Sequence, residues 1–176
     1  MRFLHEQLCE FYGPMLALRA EVLAKSEVRL KIGDAAHGAW LRIFEDLGEA
    51  DLRMIDVDFS PFERIIEEDN RKLAEEIIPA YQKMVQCFLA KIHLSEVSTI
   101  EHLEQLVAFV DIWQRQLSGT LPAQVVERLG NSEKKLYPFY RDLTSHFLRL
   151  QDQLKENRSW WSWRKPAKTI KVIPLQ

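Results

Sequence analysis

The sequence predicts an all-α, up-and-down helical bundle of four to five main helices, kinked at Pro14 and Pro79. Three observations predict it. Apolar residues recur at alternating steps of three and four along most of the 176 residues, the spacing of a helix face packed on a near-parallel neighbour. Glycine and proline number only 6 and 7, too few for the many turns of a β protein. No stretch alternates apolar and polar residues as a half-buried strand would.

Residues 2–32 read as the first long helix, with Leu4, Leu8, Phe11, Met15, Leu18 and Val22 on one stripe. The stripe keeps its phase through Gly13-Pro14. Pro14 lacks a backbone donor and crowds the carbonyl of Glu10, so a kink is expected there. Gly33 is expected to stop the helix. A short second helix carries Trp40, Ile43, Phe44 and Leu47, and residues 49–59 read as a loop. Ser60-Pro61-Phe62-Glu63 has the composition of a helix start: Ser60 to cap, Pro61 for the first turn, Glu63 to reach back. From there Phe62, Ile65, Ile66, Leu73, Ile77, Tyr81, Val85, Phe88 and Ile92 carry a stripe to about residue 93, kinked or split at Pro79.

Ser98-Thr99-Ile100-Glu101 repeats the capping pattern. The helix it opens is expected to bury Ile100, Leu103, Val107, Val110, Trp113 and Leu117 and to end at Gly119. A short apolar turn from Pro122 to Leu129 stops at Gly130. The last long helix, 132–157, sets Leu136, Tyr140, Leu143, Phe147, Leu150 and Leu154 at steps of four and three. It shares that repeat with the first helix, so the two are expected side by side. Phe11, Met15, Leu18, Leu143, Phe147 and Leu150 are then core.

Composition divides the chain at residue 157. Residues 158–176 hold five basic residues and no acid, so residues 1–157 keep 19 basic against 26 acidic. Three of the five tryptophans also fall in this tail. Trp160, Trp161, Trp163, Arg164, Lys165, Lys168 and Lys171 are therefore the candidate membrane or partner contacts. Indole rings beside cations suit an anionic membrane surface. The same tryptophans would also serve as a lid folded back on the bundle, or as stacking platforms for single-stranded nucleic acid. The acidic body argues against nucleic acid; the other two readings stay open.

The net charge of -2 excludes a basic surface spread over the whole chain. Cys9 and Cys87 sit in apolar helical patterns and read as buried thiols in a reducing compartment. No run has the ~18 uncharged residues of a bilayer span, and the opening residues lack a signal core, so a cytoplasmic protein is expected, with attachment to a membrane surface left open. A carboxylate-bridged metal site needs Glu three residues before His, and His5, His37, His93, His102 and His146 all lack it. Asp34 before His37 reads as a helix-start acid. The cluster of His93, His102, Glu96, Glu101 and Glu104 reads as the surface between two helices. No cofactor, metal or catalytic residue is assigned.

One nucleolytic pattern competes. Arg141-Asp142-Leu143-Thr144-Ser145-His146 resembles the Arg-x4-His motif of HEPN-type helical ribonucleases, which implies Arg141 steadying phosphate charge and His146 moving a proton. Five residues on one helix put the two on different faces, which weakens that match. Leu8-Cys9-Glu10-Phe11-Tyr12-Gly13-Pro14-Met15-Leu16-Ala17-Leu18 resembles the opening of an uncharacterised family of fungal and bacterial helical proteins with a Phe-Tyr-Gly-Pro segment. The resemblance continues through Trp40 with Phe44, Ile77-Ile78-Pro79, the helix of Val107 and Trp113, and Leu136-Tyr137-Pro138-Phe139-Tyr140, to about residue 155. It implies a helical fold and supplies no activity or site. Some similar proteins carry a membrane-spanning helix just before this segment; with ten residues ahead of Phe11, that anchor is expected to be absent or removed. The expectation is a non-catalytic helical binding or scaffolding module whose protein partner is unidentified. Self-association through Leu4 and Leu8 in the first turns is left open.

Overall fold

The computed structural model describes residues 2–46 and 59–163, with residues 44, 46, 123 and 157–163 as backbone only. Helix α1 runs unbroken from Arg2 to Asp46 as an α-helix Arg2–Glu6, a π-turn Gln7–Tyr12 and an α-helix Gly13–Asp46. Helix α2 has the same construction: Ser60–Lys72, a π-turn Leu73–Ile77, then Ile78–Ala90. A 3-10 turn Ile92–Leu94 and a single α-turn Val97–Ile100 lead to α3, Leu103–Leu117. Short α4, Ala123–Leu129, ends at Gly130 in the left-handed region, φ 54°. A 3-10 turn Glu133–Leu136 opens α5, Tyr137–Trp163. Among the described residues there is no strand, and the all-α bundle is as expected.

Neighbours run antiparallel. Glu10 pairs with Lys91 at 2.6 Å and Lys25 with Glu76 at 3.1 Å, so α2 descends along α1. Tyr12 meets His146, and Arg19 lies over the ring of Tyr140, so α5 descends along the other side. The first and last long helices are thus side by side, as their shared repeat predicted. Phe11, Met15, Val22, Leu73, Ile77, Tyr81, Met84, Phe88, Leu136, Leu143 and Leu150 fill the core; Leu18 and Phe147, expected inside, are only half-buried at its rim.

Both proline sites are resolved by one device. The Gly13 N–H bonds to the Leu8 carbonyl and the Ile78 N–H to the Leu73 carbonyl, each five residues back. The widened turn before Pro14 and before Pro79 gives the pyrrolidine ring room and absorbs the missing donor. The expected kinks therefore take the form of π-turns. Each inserts an extra residue per turn, which brings consecutive Phe11 and Tyr12, and Ile77 and Ile78, into the core.

Gly13 is required by the first of these turns. A Cβ there would stand 2.8 Å from the Leu8 carbonyl oxygen, a backbone atom that cannot step aside. Gly33 and Gly38 have nothing within 4 Å and sit in ordinary helix. Gly13→Ala should accordingly cost about 1–3 kcal/mol by overpacking. Gly33→Ala and Gly38→Ala should each gain about 0.5–1 kcal/mol. Thermal melts of the three variants check the contrast; a stabilised Gly13→Ala would mean that no π-turn forms.

Other expectations change. Gly33 does not stop α1; the helix incorporates the expected second helix with Trp40 and Ile43. One glycine costs about 1 kcal/mol in a helix, and the alanines at 35, 36 and 39 favour continuation. The loop expected over 49–59 lies, apart from Phe59, outside the described residues. Helix α2 begins at Ser60 itself: Phe59 is the N-cap residue and its carbonyl accepts from Phe62 and Glu63 N–H. Ser98 and Thr99 do not cap α3 either; they bond across to α5. In α3 the buried face is Leu106, Phe109 and Val110, while Val107 and Leu117, and Ile100 in the turn before it, are exposed. Helix α5 continues six residues past the expected end, so the change in composition at 158 falls within it.

Candidate functional site

Two polar clusters and one exposed surface stand out from the apolar packing. The first joins the π-turn of α1, the 94–99 connection and α5. Thr99 is fully buried. Its hydroxyl donates to Asp142 Oδ2 at 2.5 Å and, having spent its proton, accepts from Tyr12 OH at 3.1 Å. Tyr12 in turn accepts the Glu96 N–H at 3.0 Å. Gln7 Nε2 closes the layer on the Leu94 carbonyl at 2.9 Å, and Arg149 reaches Glu96 at 2.7 Å. Burial pushes the Tyr12 hydroxyl above its ordinary pKa, with the charges of Glu96 and Asp142 adding to it.

At the edge of this layer stand Ser98, His146 and Asp142, the residue types of a hydrolytic triad. The geometry is different. Ser98 Oγ lies 2.9 Å from His146 Nε2 and 3.1 Å from Asp142 Oδ1, and Asp142 Oδ1 lies 3.2 Å from the same Nε2. A triad needs the carboxylate on the far nitrogen, so that Nε2 is free to take the serine proton. Here Ser98 gives its proton to the carboxylate. The three side chains tie α5 to the 94–99 connection.

The second constellation sits at the other end of the bundle. Glu133 Oε1 accepts from Tyr81 OH at 2.9 Å and Tyr140 OH at 3.2 Å, with the Arg19 guanidinium 4.5 Å from the Tyr140 ring centre. Burial raises both phenols well above the ordinary tyrosine range. Neither releases a proton near neutrality, which suits a structural bridge between α2, α5 and the 130–133 turn.

The third is a surface. Beyond Val22, α1 leaves the bundle and runs along the first half of α2 and its π-turn, forming a two-helix arm of residues 23–46 and 59–72. No described residue of the arm is buried. Trp40 clasps its tip, with Phe59 and Phe62 edge-on at 5.0 and 5.1 Å. Leu23, Leu30 and Leu41 recur along one side of α1, and Phe59 and Ile66, seven residues apart, along α2; all are exposed, Leu30 to 65% and Ile66 to 51%. Val28 and Ile32 are exposed on the opposite side, in a cleft of about 340 Å³ rimmed by Lys25, Asp69, Lys72 and Glu76. At the base of the arm a smaller cleft of about 200 Å³ lies between Leu30, Ile77, Trp113 and Glu133.

The sequence-derived candidates are scattered. Arg141 is exposed on α5, and His146 faces inward on Tyr12, Ser98 and Asp142, so the two residues of the nucleolytic pattern are not brought together. Trp160, Trp161 and Trp163 lie on the helical backbone of α5; Arg164, Lys165, Lys168 and Lys171 fall outside the described residues. Cys9, expected to be buried, is exposed, 3.7 Å from His5 Nε2. Cys87 is half-buried and its thiol pushed up by desolvation. Among the described residues no group of three His, Cys, Asp or Glu could hold a metal ion, and no helix is long and apolar enough to cross a membrane. The arm was missed because Gly33 read as a helix end. Leu30 and Leu41 lay off the core stripe, and that is the signal that would have found it. No protein-family model, curated protein or solved structure matches this chain.

Proposed function

We propose that the chain is a non-catalytic binding module, acting as a scaffold in the cytoplasm, and that its two-helix arm is the surface that meets a partner. One observation carries this reading: the arm buries no described residue yet exposes Leu23, Leu30, Leu41, Phe59 and Ile66 on neighbouring turns. Helices draw most of their stability from burying an apolar face, and contiguous exposed apolar surface on a monomer marks an interaction site. The ribonuclease alternative has less support, because His146 is engaged by Ser98 and Asp142, while Arg141 is exposed on α5. Co-purification from the native cell tests the binding reading. A partner that is retained by the wild-type chain should be lost from a Leu30→Glu, Leu41→Glu variant of unchanged helicity; identical partners for both chains would refute it.

Peripheral attachment to an anionic membrane is a second contact, supported by a helix that ends with Trp160, Trp161 and Trp163 and by the basic residues Arg164, Lys165, Lys168 and Lys171 that follow in the sequence. At about 1 kcal/mol per basic residue near an anionic leaflet, the attraction suits reversible binding. Sedimentation with anionic and neutral vesicles, with and without residues 158–176, decides it; indifference to lipid charge or to the deletion excludes it.

A further inference from the structure

We infer that the occupant of the arm is a second copy of this chain, its arm packed against the first about a two-fold axis as a four-helix bundle. The inference rests on the binding reading above and names the partner. Spacing is the first argument. Leu23, Leu30 and His37 follow at steps of seven with Leu41 four further on, and Phe59 and Ile66 repeat the step of seven on α2. That is the register along which another helix can pack for its whole length. Two antiparallel helices present one such face and cannot enclose it, whereas two hairpins face to face can.

Charge is the second. Residues 23–46 and 59–72 hold seven basic and eight acidic residues. The signs are interspersed, and several charges are paired within the chain: Lys25 with Glu21 and Glu76, Arg29 with Asp69, Arg71 with Glu68 and Glu75, Lys72 with Glu68. A near-neutral, mixed-sign surface offers no field for nucleic acid or an anionic membrane. It also meets its own copy without like-charge repulsion, as an isologous contact requires.

Size and reach complete the case. At 1.5 Å per residue and about 10 Å per helix width, the 24 residues of α1 and the 14 of α2 give a footprint of roughly 570 Å². Two copies then bury about 1,100 Å², the low end for a specific, reversible interface. The chain's own basic tail cannot cover the arm beyond its base. Because Tyr12 lies level with His146 and Arg19 with Tyr140, Trp163 lies beyond the level of Arg2, at the end remote from the arm. Leu41 is about 58 Å up the helix from Arg2, while residues 164–176 fully extended span at most about 47 Å. The opening residues are excluded as well: Leu4 and Leu8 are half-buried against the core, which moves self-association from the first turns to the arm.

Sedimentation equilibrium of the full chain from low micromolar to millimolar concentration tests it. The mass should rise from 20.7 kDa toward twice that value. Leu30→Glu with Leu41→Glu should weaken the dimer at least tenfold with the far-ultraviolet spectrum unchanged. Alanine at both positions gives the same readout should glutamate cost helicity. Leu148→Glu, an exposed site on α5, should leave the dimer intact. A strict monomer at the highest concentration overturns the inference, as does a dimer indifferent to the arm substitutions. A strict monomer that still captures another protein through Leu30 and Leu41 would remove self-pairing and leave the binding module standing.

Discussion

Phe11→Ala should lower the free energy of unfolding by about 3–5 kcal/mol. Phe11 has no exposed surface, and its ring meets Tyr12 edge-on at 4.9 Å and Phe88 at 5.2 Å. It joins α1 to α2 within the π-turn, where the backbone is already committed to the wider hydrogen-bond pattern and cannot relax inward. The void should persist, so the cost combines lost transfer energy with an unfilled cavity. Against a total stability of about 5–15 kcal/mol, this single ring accounts for a large share. Phe147→Ala should cost clearly less, because Phe147 is half-buried at the rim. Urea unfolding of both variants, with the slope unchanged, reads the difference. A loss under 1 kcal/mol for Phe11→Ala would place that ring in water.

The step-of-four-and-three pattern located Phe11, Met15, Val22, Leu143 and Leu150 because a straight helix repeats its face at that spacing. Tyr12 and Ile78 escaped it because a π-turn advances the face by one residue, and nothing in the local sequence except the following proline announces the turn. In α3 two stripes overlap, since Leu103 and Val110 belong to both. Which stripe turned inward was decided by contacts remote in sequence: Tyr81 against Phe109 at 5.1 Å, and Asn131 Nδ2 bonding to the Phe109 carbonyl at 3.1 Å. The polar layer was illegible for the same reason. Tyr12, Thr99 and Asp142 lie on three elements, and Ser98-Thr99 had a local role on offer, as a cap, that the fold did not use. Buried Thr99 shows the cost of reading a hydroxyl only by its neighbours: tertiary donors and acceptors outbid the helix start.

Asp142→Ala should cost about 2–4 kcal/mol. The carboxylate ends a directed chain in which the Glu96 N–H donates to Tyr12, Tyr12 to Thr99 and Thr99 to Asp142. Removing the final acceptor strands one proton. If Thr99 turns its hydroxyl back toward Tyr12, the Tyr12 proton loses its acceptor; if it does not, the Thr99 proton has none. Thr99 is fully buried, so water does not rescue either arrangement. An orphaned buried donor costs about 1–3 kcal/mol, and a hydrogen bond to a charged acceptor contributes about 1.5–3. The 17% exposure of the Asp142 side chain keeps the sum below that of a fully buried ion. Asp142→Asn should cost less, because its amide oxygen still accepts from Thr99 while its amide nitrogen faces Ser98 and His146. Ser98→Ala, at an exposed hydroxyl, should cost under about 1 kcal/mol. The decisive measurement is a double-mutant cycle of Tyr12→Phe with Asp142→Ala. These side chains share no hydrogen bond and are linked through Thr99 and through His146, which meets the Tyr12 ring and lies 3.2 Å from Asp142 Oδ1, so a coupling above about 0.5 kcal/mol shows that the layer acts as a unit. Strict additivity would reduce it to independent bonds, and a loss below 0.5 kcal/mol for Asp142→Ala would mean that the layer is already wet.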